Sequence, residues 1–198
     1  VHIRPVGPAD LDALYQICLQ TGDAGEDATD LYEDPRLLGE IFAAPYAILE
    51  PGLAFVTEDE QGVSGFVLGA LDTPAFEERL EHEWWPTLRQ RYPDPPAGDW
   101  TREEQWMAHI HHPPRTPAEL TGPYPSHLHI NLLPRTQGQG AGKKLIATLL
   151  DALRARGSRG VHLDVWIKNS RAIGFYRHVG FTEIGSDGGG ITFGQSLN

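Results

Sequence analysis

The order strand, glycine-rich loop, helix across residues 127–153 constrains this chain more than any other feature. Residues 127–133 alternate in the manner of a half-buried strand, and Gln137-Gly138-Gln139-Gly140-Ala141-Gly142 follows closely. Leu145, Ile146, Leu149, Leu150 and Leu153 then recur at helical spacing, which predicts an amphipathic helix that opens at the loop. A helix N-terminus carries unpaired amide N–H groups and a partial positive charge, so a glycine loop feeding one forms an anion cradle without basic side chains. Gly138, Gly140 and Gly142, directly ahead of Lys143 and Lys144, fit a diphosphate lying across the turn. The loop is not that of a nucleoside triphosphatase, because the lysines come too soon and no Ser or Thr follows them. Nor is it a dinucleotide fingerprint, which needs a different final glycine spacing and a downstream acidic residue.

The rest of the chain reads around this unit. Residues 2–5 form a first strand, and Pro8-Ala9-Asp10 opens a helix with Leu11, Leu14, Tyr15 and Cys18 on one face. Cys18, the only cysteine, is thereby a core residue with no internal disulfide partner. Residues 21–30 are glycine-punctuated and acidic, a loop ahead of a second helix expected over about 35–44. Residues 53–57 and 63–71 form a hairpin around Asp59-Glu60-Gln61-Gly62. Residues 73–125 carry four tryptophans on charged helical stretches broken by prolines, and read as a helical insertion packed on the core. Residues 161–167 form another strand, Asn169 and Ser170 cap a helix bearing Ile173, Phe175 and Tyr176, and 180–184 and 191–193 close the sheet. No segment reads as a linker, so one domain over 1–198 is expected.

Leu132-Leu133-Pro134-Arg135-Thr136-Gln137-Gly138-Gln139-Gly140-Ala141-Gly142 resembles the Gln/Arg-x-x-Gly-x-Gly/Ala signature of the GNAT (GCN5-related) N-acetyltransferases. Asn169-Ser170-Arg171-Ala172-Ile173-Gly174-Phe175-Tyr176-Arg177-His178-Val179-Gly180-Phe181 resembles that family's second motif. A narrower resemblance, to the acetyltransferase-like C-terminal domain of O-GlcNAcase, spans most of the chain. It rests on Cys18-Leu19-Gln20-Thr21-Gly22-Asp23, Asp27-Ala28-Thr29, Gly157-Ser158-Arg159-Gly160 and residues 191–197, and the chain looks like a stand-alone bacterial-type relative. The glycine loop is eroded in the animal domains and whole in this sequence, which favours a working cofactor site.

The resemblance implies an α/β fold: a mixed, mostly antiparallel central sheet between helical layers, with the insertion between the third and fourth strands. It implies acetyl-CoA as cofactor and an amine as acceptor. The strand before the loop would splay from its neighbour and pair with the pantetheine arm at Leu132 and Leu133. The diphosphate would rest on Gln137, Gly138, Gln139, Gly140, Ala141, Gly142 and Lys143, while Asn169, Phe175 and Tyr176 line the arm. Tyr176 would support the departing thiolate, its ordinary phenol pKa of about 10 being near that of a thiol; its other reading is a core aromatic beside Phe175.

The proton acceptor is less defined. A period of two puts His162, Asp164 and Trp166 on one strand face, and His127, His129 and Asn131 on one face of the preceding strand. Asp164 or His129 suits a water-relayed base, although such a residue is more often just a satisfied polar group of a strand. Asp23 and Asp27 would lie at the acceptor entrance under the family layout, where carboxylates hold a cationic amine; a solvated turn is the alternative. His109-x-His111-His112 and His127-x-His129 offer imidazoles, but Pro113-Pro114 breaks the first cluster and no metal is expected.

The formal charge of -11 opposes binding to nucleic acid or anionic membrane and favours cationic ligands, and no apolar run reaches membrane-spanning length. The absence of a signal-like start points to a cytoplasmic location, although a chain opening on Val is compatible with a piece of something longer. Monomer and homodimer both remain open. Two functions follow. One is an acetyl-CoA-dependent N-acetyltransferase in which an amine attacks the thioester directly; the other is a pseudo-acetyltransferase that binds acetyl-CoA or a partner without turnover.

Overall fold

The computed structural model describes residues 2–198. Its strands are β1 (His2–Pro5), β2 (Ala54–Asp59), β3 (Gly62–Ala70), β4 (Ser126–Leu132), β5 (Gly160–Trp166), β6 (Thr182–Ser186) and β7 (Gly190–Ser196). They form one seven-stranded sheet in the order β1-β2-β3-β4-β5-β7-β6. Every neighbouring pair is antiparallel except β4 and β5, which run parallel. That parallel ladder holds only at Ser126↔Val161 and His127↔His162, after which the two strands part and leave facing unpaired edges. Parallel strands need a crossover, and the helix α8 introduced below supplies it.

Strand alternation divides the core between the two sheet faces. Val56, Phe66 and Leu68 pack under one helical layer: α1 (Leu11–Gln20), α2 (Leu37–Phe42) and α3 (Ala44–Leu49). The residues between β3 and β4 extend this layer with α4 (Thr73–Arg79), α5 (Trp85–Arg91) and α6 (Arg102–His111), and then form a short α7 (Ala118–Thr121) with no buried residue. Val67, Leu128, Val161, Leu163 and Val165 face the opposite layer, made of α8 (Ala141–Ala155) and α9 (Ser170–His178). Buried Leu145, Ile146, Leu149, Leu150 and Leu153 form the apolar stripe of α8.

The expected helix over 35–44 is in fact two short helices that break at Ala43 (φ -134°, ψ -61°). Pro45 causes the break: it has no N–H to give the Ile41 carbonyl, so the chain restarts with proline in the first turn of α3. Pro86 acts similarly after α4. It cannot bond to the His82 carbonyl, and the chain passes through a π-turn at Leu80–Trp84, where Trp85 N–H reaches back to Leu80. Trp85 is buried in the core, whereas Trp84 is half-buried and donates its indole N–H to the Glu40 carbonyl at 2.8 Å. Cys18 is enclosed in the core, where burial pushes its thiol up to about 12 and leaves it unreactive. Among the described residues, no helix is long and apolar enough to cross a membrane.

Candidate active site

At the mouth of the opening between β4 and β5, the chain turns through Pro134–Thr136 into the glycine loop. Gln137 Nε2 donates to the Leu132 carbonyl (2.7 Å) and Gln139 Nε2 to the Arg135 carbonyl (2.8 Å), so both glutamines staple the loop to itself. Gly138 and Gly140 adopt φ of +75° and +78°, a left-handed conformation that disfavours side chains, and a Cβ at either would meet open space. Gly142 differs: a Cβ there would lie 3.1 Å from Leu132 and 3.1 Å from the Phe175 ring. No backbone N–H of residues 138–143 donates to a protein acceptor among the described residues, and no side chain caps α8. The result is a concavity of free amides at a helix N-terminus, suited to an anion such as a diphosphate.

The free edge of β4 is shorter than the motif suggested. Leu133 N–H donates to the Ser64 carbonyl (2.9 Å), and the Leu133 carbonyl accepts from Thr136 N–H (2.9 Å). With its side chain buried as well, Leu133 is a core residue rather than part of the open edge. A cleft of about 180 Å³ occupies the splay, lined by Leu128, Ile130, Val165, Asn169, Ala172, Tyr176 and the 21–25 loop. Asn169 Oδ1 accepts from Ala172 N–H (3.0 Å) and caps α9. The Tyr176 ring packs against Phe175, Phe181 and Phe193, and burial raises its phenol above the ordinary value. Its hydroxyl bonds to no protein group among the described residues. Tyr176 is thus a core ring whose hydroxyl is left unused at the cleft.

The cleft adjoins a larger cavity of about 920 Å³, walled by α2, α3, the insertion and the polar faces of β4 and β5. His127, His129, Asn131, His162, Asp164 and Trp166 all line it, as the strand period requires. Tyr46 Oη lies 2.9 Å from His127 Nε2 and 3.0 Å from His129 Nε2. Burial, then the neighbouring His162, pushes His129 down to about 4. Burial lowers His127 and His162 too, with His129 and His162 adding to the effect at His127. The cluster is neutral near pH 7. Asp164 is exposed and accepts from Thr192 Oγ1 at 2.5 Å.

The acidic loop is pinned above the cavity rather than free. Asn131 Nδ2 donates to Thr21 Oγ1 (2.6 Å), and Arg102 of α6 pairs with Asp23 (2.7 Å). Asp27 is exposed, accepts from Thr29 N–H and Oγ1–H, and is absent from the cavity lining. Its neighbour contacts are those of a turn. The other histidines disperse: His109 packs on Trp85 and Trp106, His111 donates to the Tyr92 carbonyl, and His112 bonds to Asp94. Among the described residues, no group of three His, Cys, Asp or Glu side chains converges to hold a metal.

Comparison with known proteins decides the family. The profile of the Acetyltransferase (GNAT) family matches residues 14–181. The chain belongs to the GNAT acetyltransferase family. Its curated relatives include Protein O-GlcNAcase of Rattus norvegicus, 28% identical over 184 residues and 92% of this chain. The Mus musculus protein matches to the same extent. The chain spans about one fifth of the length of these relatives. Among solved structures, SsHAT is 41% identical with a TM-score of 0.93, covering 100% of this chain and 98% of that one. The structure of yncA from Salmonella typhimurium with its cofactor acetyl-CoA shares the fold at 18% identity and a TM-score of 0.54, covering 100% of this chain and 94% of that one.

GNAT acetyltransferases use acetyl-CoA, so the acyl donor of this family member is acetyl-CoA. The free amides and left-handed glycines of the loop fit the diphosphate of that donor. Tyr46 and Thr73, which also border the cavity, escaped the sequence reading. Tyr46 lies beyond the expected end of the second helix, and only the Pro45 restart, itself visible as a proline, brings it under the histidines.

Proposed function

We propose that this chain moves the acetyl group of acetyl-CoA to an amine lodged in the cavity beside β4 and β5. The reading rests on one observation: the start of α8 presents free amides at residues 138–143, and the cleft between β4 and β5, lined by Tyr176, shares its walls with a cavity lined by neutral imidazoles. Bound acetyl-CoA would supply the acetyl thioester that the acceptor attacks. The amides of Gly138, Gln139, Gly140, Ala141, Gly142 and Lys143 hold the diphosphate, with the Gln137 side chain bracing the loop. Asn169 and Tyr176 line the cleft that the arm would follow, Leu132 and Phe175 pack against Gly142 at the start of α8, and the unpaired edge of β4 offers the arm backbone groups.

An attacking amine must be neutral and must lose a proton during the reaction. His129 takes that proton through a water in the cavity; Asp164 brings negative charge to the same region, which favours entry of the cation, whereas the charge of Asp23 is already met by Arg102. Tyr176 keeps its proton at working pH and offers a hydrogen bond to the sulfur as charge develops there. Titration calorimetry with acetyl-CoA, followed by thiol release over a panel of primary amines, tests the reading. Binding and turnover together uphold it. Binding with no turnover on any amine makes the chain a cofactor-holding module instead.

A further inference from the structure

Two hydroxyl side chains and two imidazoles form one hydrogen-bonded line, anchored on a backbone carbonyl, whose direction can be fixed from that end. Thr73 Oγ1 is 2.8 Å from the Pro125 carbonyl and 2.8 Å from His127 Nδ1. A carbonyl oxygen has no proton to give, so the single hydroxyl proton of Thr73 occupies the contact with Pro125. The Thr73 oxygen must then accept, and His127 Nδ1 carries the hydrogen. A neutral His127 leaves Nε2 as an acceptor, and among the described residues the only group on it is the Tyr46 hydroxyl at 2.9 Å, which therefore donates. Having spent its proton there, Tyr46 oxygen can only accept from His129 Nε2 at 3.0 Å. The hydrogen of His129 is thus on Nε2.

From this we infer that Tyr46 is a positioning residue that locks His129 in the Nε2–H tautomer and leaves Nδ1 as its free proton acceptor. Among the described residues, Nδ1 of His129 makes no hydrogen bond and is not sealed from solvent, and the residue lines both the cleft and the cavity. The ring cannot easily turn over to exchange its nitrogens, because Phe42 and Tyr46 pack edge-on at 5.5 and 4.9 Å. An imidazole bound through Nε2–H has its lone pair committed to one side, which is the orientation a base needs. The titratable groups facing this line are His162 and Asp164 on β5 and Glu77 on α4. Lowering of the His129 pKa by burial and His162 keeps the acceptor unprotonated near neutrality. The role as a base rests on the acetyl-transfer reading, whereas the tautomer does not.

The test is nitrogen NMR of the full chain labelled with ¹⁵N-histidine at pH 7, with signals assigned from His127→Asn and His129→Asn variants. Expected are an Nε2–H tautomer for His129 and an Nδ1–H tautomer for His127, with His129 becoming a mixture in Tyr46→Phe. On any amine that is turned over, Tyr46→Phe should lower kcat on the order of ten-fold, shift the pH profile and leave acetyl-CoA affinity unchanged. Loss of turnover in the wild type with both tautomers as expected would sink the transfer reading and uphold the lock. His129 carrying its hydrogen on Nδ1, or an unchanged His129 spectrum in Tyr46→Phe, would overturn the lock even in an active enzyme.

Discussion

Gly142 and Phe175 meet across the interface of α8 and α9 so closely that a Cβ at 142 would stand 3.1 Å from the ring. Leu132, at the end of β4, closes the same contact from the sheet side at 3.1 Å. The third glycine of the loop therefore seats the helix, whereas the first two shape its approach. Gly142→Val should push the start of α8 away from Leu132 and Phe175, with a cost of about 1–3 kcal/mol for overpacking. Thermal unfolding and acetyl-CoA titration should both weaken; full stability and full affinity in this variant would remove the seating role.

The turn at residues 23–26 stores a small strain. Ala24 has φ of +54° and is followed by Gly25 at +95°, while Asp23 and Glu26 exchange backbone hydrogen bonds of 3.0 Å. Alanine is disfavoured in this left-handed conformation by about 1–2 kcal/mol, partly offset by the greater chain entropy that glycine loses on folding. Ala24→Gly should raise stability by about 0.5–1 kcal/mol in denaturant titration. A decrease would mean that the Ala24 methyl, at the wall of both voids, packs better than its backbone suffers.

The buried histidines make folding sensitive to acid. His129 titrates at about 4 in the folded protein against an ordinary value of 6.5, and His127 and His162 are lowered in the same direction. Between these values the unfolded chain binds more protons than the native state, so stability falls as pH drops from 6.5 towards 4. Above that window the imidazoles are neutral in both states and contribute no slope. Each one adds at most about 1.4 kcal/mol per pH unit. Melting temperatures measured from pH 7 to 4 should decline, and His129→Asn should flatten the decline; a flat wild-type profile would contradict the burial of the cluster.

Tyr176 separates packing from chemistry. Its ring is surrounded by Phe175, Phe181 and Phe193, and its hydroxyl has no protein partner among the described residues. Tyr176→Phe should fold with stability within about 1 kcal/mol of wild type. On an accepted amine, kcat should fall roughly ten- to a hundred-fold at constant acetyl-CoA affinity. Equal turnover would return the residue to the core alone.

Much of this architecture was legible because it depends on local pattern. The loop between β4 and α8, the α8 stripe, the hairpin of β2 and β3 and the insertion follow from glycine placement and periodicity. The inward sets His127, His129, Asn131 and His162, Asp164, Trp166 follow from strand alternation alone. The sequence could not show which groups are already spoken for. Leu133 looked available until Ser64 and Thr136 took its backbone groups, and Asp27 looked like an entrance carboxylate until it turned to Thr29. Tyr46 and Thr73 lie 81 and 54 residues from His127 in the chain, so their bonds to it are tertiary facts without a local signal.

The most direct measurement is calorimetric titration of acetyl-CoA into the wild type and Gly140→Glu. A Cβ at 140 has no atom of the described residues within 4 Å but must sit at φ of +78°, at a cost of about 1–2 kcal/mol that Gly140→Asn controls for. The wild type should bind, and the added carboxylate beside the diphosphate should weaken binding by on the order of a hundred-fold while Gly140→Asn stays close to wild type. Equal affinity in Gly140→Glu would place the diphosphate elsewhere and contradict the assignment of the loop.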